Sequence, residues 1–204
     1  MPIFEEIRWA NNMEEPTTVY QLIKEGEILF KQRRIHHGHG LYDAWDEAVY
    51  LTSHVLDCSP SINPSFLNNT ATERQADSVR ALFEKRSRER IPSAYLTSCA
   101  YFCGLSFYVD NRVVIPRSPI AELISNKFKP WLSGSPLKIM DMCAGSGCIG
   151  ISCAYAFPEA SVTITDVSED ALKVARKNVR HHKLSKRIKI VRSDFFSEVP
   201  EETY

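Results

Sequence analysis

Lys138-Ile-Met-Asp-Met-Cys-Ala-Gly-Ser-Gly-Cys-Ile-Gly150 decides the fold class. Leu137–Met142 reads as a short apolar strand. Gly145–Gly150 is a glycine turn, and Cys148–Phe157 a helix of small residues. The same alternation continues with a strand over Ala160–Thr165, a helix capped by Ser168 with Glu169 and Asp170 in its first turn, and a strand over Lys186–Val191. Strand, helix, strand, helix, strand predicts an α/β fold with a parallel sheet.

Gly145-x-Gly147-x-x-Gly150 after a strand fits a dinucleotide crevice, with Asp166 in reach of a ribose. Asp141, at the strand end, argues for a different ligand. A carboxylate repels a pyrophosphate. It attracts S-adenosylmethionine, which carries an ammonium and a sulfonium, so that cofactor is preferred over NAD. The glycines would let the backbone approach its amino-acid end. Asp166 would accept from the ribose hydroxyls. Asp194 would accept from the adenine amino group, with Phe195 packed on the ring. The plainer reading makes Asp141 and Asp166 helix N-caps. It explains each alone but not their joint spacing.

Working outward, residues 1–92 read as helices. Pro16 is expected in the first turn of one, with Val19, Leu22, Ile23 and Phe30 inward. Asp43 caps the next, with a stripe of Trp45, Ala48, Val49, Thr52, Val55 and Leu56, stopped by Pro60 and Pro64. Thr72 and Gln75 form a capping-box pattern. Residues 93–116 read as a β-hairpin linker, with Tyr101–Val109 and Arg112–Ile115 flanking an Asp110-Asn111 turn. A helix follows from Ser118-Pro119. Residues 117–204 hold the sheet.

The 204 residues are 44% hydrophobic and 25% charged, which excludes a disordered tail or a coiled-coil rod. No apolar run approaches the ~20 residues of a membrane span. Met1–Glu6 lacks the marks of a secretory signal, so a cytoplasmic location and free thiols are expected. The six cysteines lack C-x-x-C spacing, and no metal is expected. His36, His37 and His39 read as a surface loop, and His181-His182 as a helix end. Cys143 and Cys148 read as small residues packed at the ligand. The 25 basic and 25 acidic residues are unevenly spread. Residues 1–60 hold 10 acids and 5 bases, and residues 168–192 hold 9 bases and 2 acids. A solvated helix face is one reading of basic residues 173–192, and contact with ribosomal RNA the other.

Ile139–Ile149, Asp166-Val-Ser168, Ile91–Thr97, Phe102-Cys-Gly104, Val114–Ile124 and Ser193-Asp-Phe-Phe196 resemble the HemK-type class I protein-glutamine methyltransferases. Gly38-His-Gly40, Ala44–Ala48 and Arg117-Ser-Pro119 resemble the branch that acts on a large-subunit ribosomal protein. The resemblance implies a helical substrate-recognition domain over 1–92, a hairpin linker and a Rossmann-like S-adenosylmethionine-binding domain over 117–204. It implies cofactor contacts at Cys143, Ala144, Gly145, Ser146, Gly147, Asp166 and Phe195. The family's Asn-Pro-Pro-Tyr signature, which holds the substrate amide, is expected after the next strand, and the chain stops at Tyr204. No catalytic residue is therefore assigned, and the sheet is expected to be incomplete, with its first three strands only. A chain of this extent is expected to be inactive and aggregation-prone alone. The other readings are a release-factor methyltransferase and a truncated paralogue acting as a binding module.

Overall fold

A computed structural model describes residues 16–38, 40–58 and 63–199. The expectations for His39 and Pro60 lie outside them. The chain divides into two compact units, residues 1–36 with 43–90, and residues 37–42 with 91–204.

The first unit is helical: α1 (Val19–Gln32), α2 (Ala44–Val55), α3 (Pro64–Leu67) and α4 (Glu73–Glu89). Each start is set by a side-chain cap that satisfies a main-chain amide left over at a helix end. Thr72 and Gln75 make the expected reciprocal pair, and Asp43 accepts from Asp46 N at 2.9 Å. Pro16 does not open α1. Thr18 does, in a second capping box with Gln21, because its hydroxyl offers an acceptor that proline lacks. Pro64 likewise does not end α2 but sits in the first turn of α3, where its missing amide costs nothing.

Leu22, Ile23 and Phe30 of α1 meet Ala48 and Leu51 of α2 and Val79 and Phe83 of α4 in one core. The centre of α2 is therefore Ala48 and Leu51, while Trp45, Val49 and Val55 are half-buried. Gly26 permits the close approach: a Cβ there would lie 2.6 Å from Phe83 Cζ and 2.9 Å from Ala48 Cβ. Arg86 and Glu47 form a buried ion pair at 2.6 Å, and Arg86 also donates to His36 O.

The second unit begins with α5 (Ser93–Leu96) and an antiparallel hairpin, β1 (Cys99–Phe102) and β2 (Leu105–Tyr108). Its turn is Cys103-Gly104, not Asp110-Asn111. Both turn residues have positive φ, +50° and +74°, the handedness that a two-residue hairpin loop demands, and Gly104 takes it without strain. Arg112–Ile115 is no strand. Asp110 turns the chain by accepting from Arg112 N, and Val113 and Ile115 then pack on an apolar helix face with Ala171 and Val174.

After α6 (Ile120–Ser125) come β3 (Lys138–Met142), α7 (Cys148–Ala156), β4 (Ser161–Asp166), α8 (Glu169–His181) and β5 (Ile188–Arg192). Among the described residues the sheet is parallel in the order β3-β4-β5. Ser168 caps α8 as expected. Ile151 and Ala154 of α7 pack with Val162 and Ile164 of β4 and Ala175 and Val179 of α8. Phe102 and Phe107 of the hairpin belong to that same core. Arg187 closes the far end of α7: its Nη2 donates to Ala154 O, Phe157 O and Ala160 O at 2.8–2.9 Å.

Candidate functional site

The register pairs Met142 with Thr165 and Asp166 with Arg192, so the C-terminal ends of all three parallel strands lie side by side. Ligands of open parallel sheets bind at such ends. Asp141, Asp166 and Ser193-Asp194 stand there.

Asp141 is 7% exposed, and its Oδ2 accepts from Gly150 N at 2.8 Å, in the first turn of α7. Burial pushes its carboxyl up to about 6; the Gly150 bond opposes that, and the nearby Asp166 charge adds to it. This bond ties the end of β3 to the first turn of α7, whose N-cap residue is Gly147. A side chain at Gly150 would crowd both this contact and Ile164. A Cβ there would lie 3.0 Å from Asp141 Oδ2 and 2.8 Å from Ile164 Cγ1.

Asp166 bridges two amides. Its Oδ2 accepts from Gly145 N and its Oδ1 from Ser168 N, both at 2.9 Å. A carboxylate oxygen has a second lone pair, so each can still accept from a hydroxyl. The glycine loop is folded by its own main chain: Ala144 N donates to Thr165 O at 3.0 Å, and Gly147 N to Ala144 O at 2.8 Å. Cys143, Gly145 and Gly147 have φ of +57°, +54° and +76°.

The two loop glycines differ in purpose. A Cβ on Gly147 would lie 3.2 Å from Ile164 Cδ1, so its smallness serves the core. A Cβ on Gly145 would meet nothing within 4 Å. Only at Gly145 does the missing side chain leave open room on the solvent side. Ser146 is buried, and its carbonyl accepts from Asn178 Nδ2 at 2.9 Å. Cys143 is exposed, whereas Cys148 and Cys153 are buried, which pushes their thiols up to about 11 and about 12. At such values neither thiol is a nucleophile at neutral pH.

Past β5, Asp194 is exposed and Phe195 and Phe196 are about 62% exposed. Ser193 pins this turn, donating from Oγ to Phe195 O at 2.8 Å and accepting from Glu198 N at 3.0 Å.

The basic stretch is only partly free. Lys173 pairs with Asp170, Arg176 with Glu169, and Lys177 lies 3.1 Å from the centroid of the Tyr108 ring. Arg187 is the helix cap already described. Arg180, Lys183, Lys186 and Lys189 remain exposed, as does Arg192, which donates to Val167 O at 3.1 Å. His182 is half-buried between Ser106 O at 2.9 Å and the Tyr155 hydroxyl at 3.2 Å, and burial holds it below the ordinary histidine range.

Sequence reasoning passed over Asn178 and the pinning role of Ser193. Asn178 had a signal: it falls on the stripe of Ala171, Val174 and Ala175, so the periodicity buries it. A buried amide must find partners.

Residues 122–204 match the family described as "Methyltransferase small domain". Across 197 residues, 95% of the chain, it is 41% identical to a protein of Bordetella pertussis named ribosomal protein uL3 glutamine methyltransferase. It is 38% identical over 167 residues to a protein of the same name from Francisella tularensis. The chain is homologous to these glutamine methyltransferases. It spans 66% of the length of the first and 53% of the second. The α/β architecture expected from the glycine-loop stretch is thus that of a methyltransferase domain.

Proposed function

We propose that this chain provides the cofactor-binding part of an S-adenosylmethionine-dependent enzyme that methylates the side-chain amide of a glutamine in ribosomal protein uL3. The observation that carries it is the open cradle at Gly145, whose amide is held by Asp166 at the end of β4. The names of the two relatives support the substrate, and favour it over a release factor.

The residues present fit the cofactor. Gly145 leaves room for its amino-acid end. Asp166 retains lone pairs for ribose hydroxyls. The Phe195 face is available to an adenine, with Asp194 beside it as an acceptor. Asp141 contributes negative charge beneath the loop and holds α7 in place. Cys143, Ala144, Ser146 and Gly147 shape the loop. When bound, S-adenosylmethionine supplies an electrophilic methyl group on a sulfonium. An amide nitrogen is a weak nucleophile, so positioning it in line with that methyl carries most of the catalysis. The helical unit is the proposed recognition element for the protein substrate, and Arg180, Lys183 and Lys186 the proposed contact with ribosomal RNA. Among the described residues no helix is long and apolar enough to cross a membrane.

Calorimetry with S-adenosylmethionine and with NAD tests the site: the first should bind and the second should not. Asp166→Ala removes an acceptor from the ribose and from Gly145 N, and should weaken binding by about 1–3 kcal/mol. Unchanged affinity in that variant sinks the assignment. Labelled methyl transfer to uL3 by the protein that bears this chain, absent with a release factor, tests the substrate.

A further inference from the structure

Asn178 is fully buried on α8, and every hydrogen-bonding atom of its side chain is engaged. Nδ2 donates to Ser146 O at 2.9 Å and to Tyr108 O at 3.0 Å, and Oδ1 accepts from Tyr108 N at 2.8 Å. One amide therefore ties the glycine loop to the end of the hairpin, 32 and 70 residues away in sequence.

The loop end of this tie is the peptide between Ser146 and Gly147. That peptide is a rigid plane, so holding the Ser146 carbonyl also aims the Gly147 N–H. Gly147 N is the donor that closes the loop on Ala144 O. Gly145, with its open cradle, lies inside the turn so closed. At the other end Tyr108 is itself braced. Its hydroxyl donates to Asp110 at 2.9 Å, and Lys177, one residue before Asn178, lies over its ring.

We propose that Asn178 is a positioning residue for the cofactor loop, and that through it occupancy of the loop is felt at Tyr108 in the hairpin. The proposal rests on the reading of the glycine loop as the S-adenosylmethionine site. Asn178 touches no reacting atom. It sets the direction of a carbonyl whose peptide partner closes the loop. A purely structural amide would lower stability and leave ligand affinity and the loop–hairpin coupling alone.

The test uses amide hydrogen exchange and calorimetry on the chain. In the unmodified protein, S-adenosylmethionine should slow exchange at Gly145–Gly147 and at Tyr108 together. Asn178→Ala removes all three bonds. Asn178→Asp removes both donors while keeping an acceptor for Tyr108 N. In either variant the dissociation constant for S-adenosylmethionine should rise about tenfold, the effect of one lost buried hydrogen bond. Both should also lose the ligand-induced protection at Tyr108. Val179→Ala, on the same helix and buried, is the control: it should lower the melting temperature and leave the dissociation constant unchanged. Folded Asn178 variants that bind as tightly as the parent overturn the proposal, as does ligand protection of the loop without any change at Tyr108. If the parent fails to bind S-adenosylmethionine, the cofactor reading falls instead. The positioning role is then judged without ligand: Gly147 N should exchange faster in Asn178→Ala, and equal rates overturn it.

Discussion

Two carboxylates at neighbouring strand ends carry opposite burdens. Asp166 shares its charge between two amides at the rim of the sheet. Asp141 is buried, and its pKa near 6 stands above the ordinary aspartate value of 3.8. The folded state therefore binds the proton more tightly than the unfolded chain between those two values. Stability should fall as pH rises from about 4 to about 6, with a total cost of about 3 kcal/mol at neutral pH. Asp141→Asn should flatten this slope in urea titrations taken at several pH values. In the parent, affinity for the cationic cofactor should rise through pH 6 as the carboxylate ionises. A slope that survives the substitution refutes this account of Asp141. Gly150→Ala tests the same contact from the other side. Alanine favours a helix by up to ~1 kcal/mol over glycine. Here the added methyl strikes Ile164, which is fully buried, and the Asp141 oxygen. Overpacking of about 1–3 kcal/mol should win, giving a lower urea midpoint with an unchanged slope.

Among the elements, α7 is short, apolar and nearly encased, so its ends matter more than its faces. Its start is held by Asp141 and its C-terminal carbonyls by Arg187. Arg187→Met keeps the apolar stem and removes the donor to three carbonyls. It should destabilise the chain by about 2 kcal/mol or more in thermal or urea unfolding, because buried acceptors lose their partner. A neutral outcome would mean that water replaces the guanidinium. The hairpin shows how an element can be recognised by composition and still be misplaced. Aromatic and β-branched residues run from Tyr101 to Ile115, and two turn pairs compete within them. Cys103-Gly104 wins because it pairs Phe102 with Leu105 and puts Phe102 and Phe107 into the sheet's core. A turn at Asp110-Asn111 would have drawn Val113 and Ile115 off α8.

Over the whole molecule the formal net charge is zero, yet the surface of α8 and the segment after it is basic. Reversing Arg180, Lys183 and Lys186 to glutamate should weaken association with ribosomal precursor particles and flatten its salt dependence. Reversing Lys173 and Arg176, which are already paired with Asp170 and Glu169, should do less. Equal effects in sedimentation assays would show that position does not matter and that only total charge does.

The period of the apolar residues, the glycine spacing and the cap residues were enough to place α2, α4, α7, α8 and the three parallel strands to within about two residues, but not the short helices α3 and α5. They also brought Asp141, Asp166 and Asp194 to one set of strand ends. Those features are local, and they recur at fixed intervals along the chain. What needed the tertiary structure was every choice between equally good local answers. Thr18 took the cap over Pro16, and Cys103-Gly104 the turn over Asp110-Asn111. Arg187 left the basic stripe to close a helix. Asp141 turned to Gly150 N, and Gly147 and Gly150 make room for the side chain of Ile164. The Thr18 cap has a local partner, Gln21; the other choices were settled by residues farther along the chain, through packing and hydrogen bonds whose strength depends on three-dimensional proximity and burial.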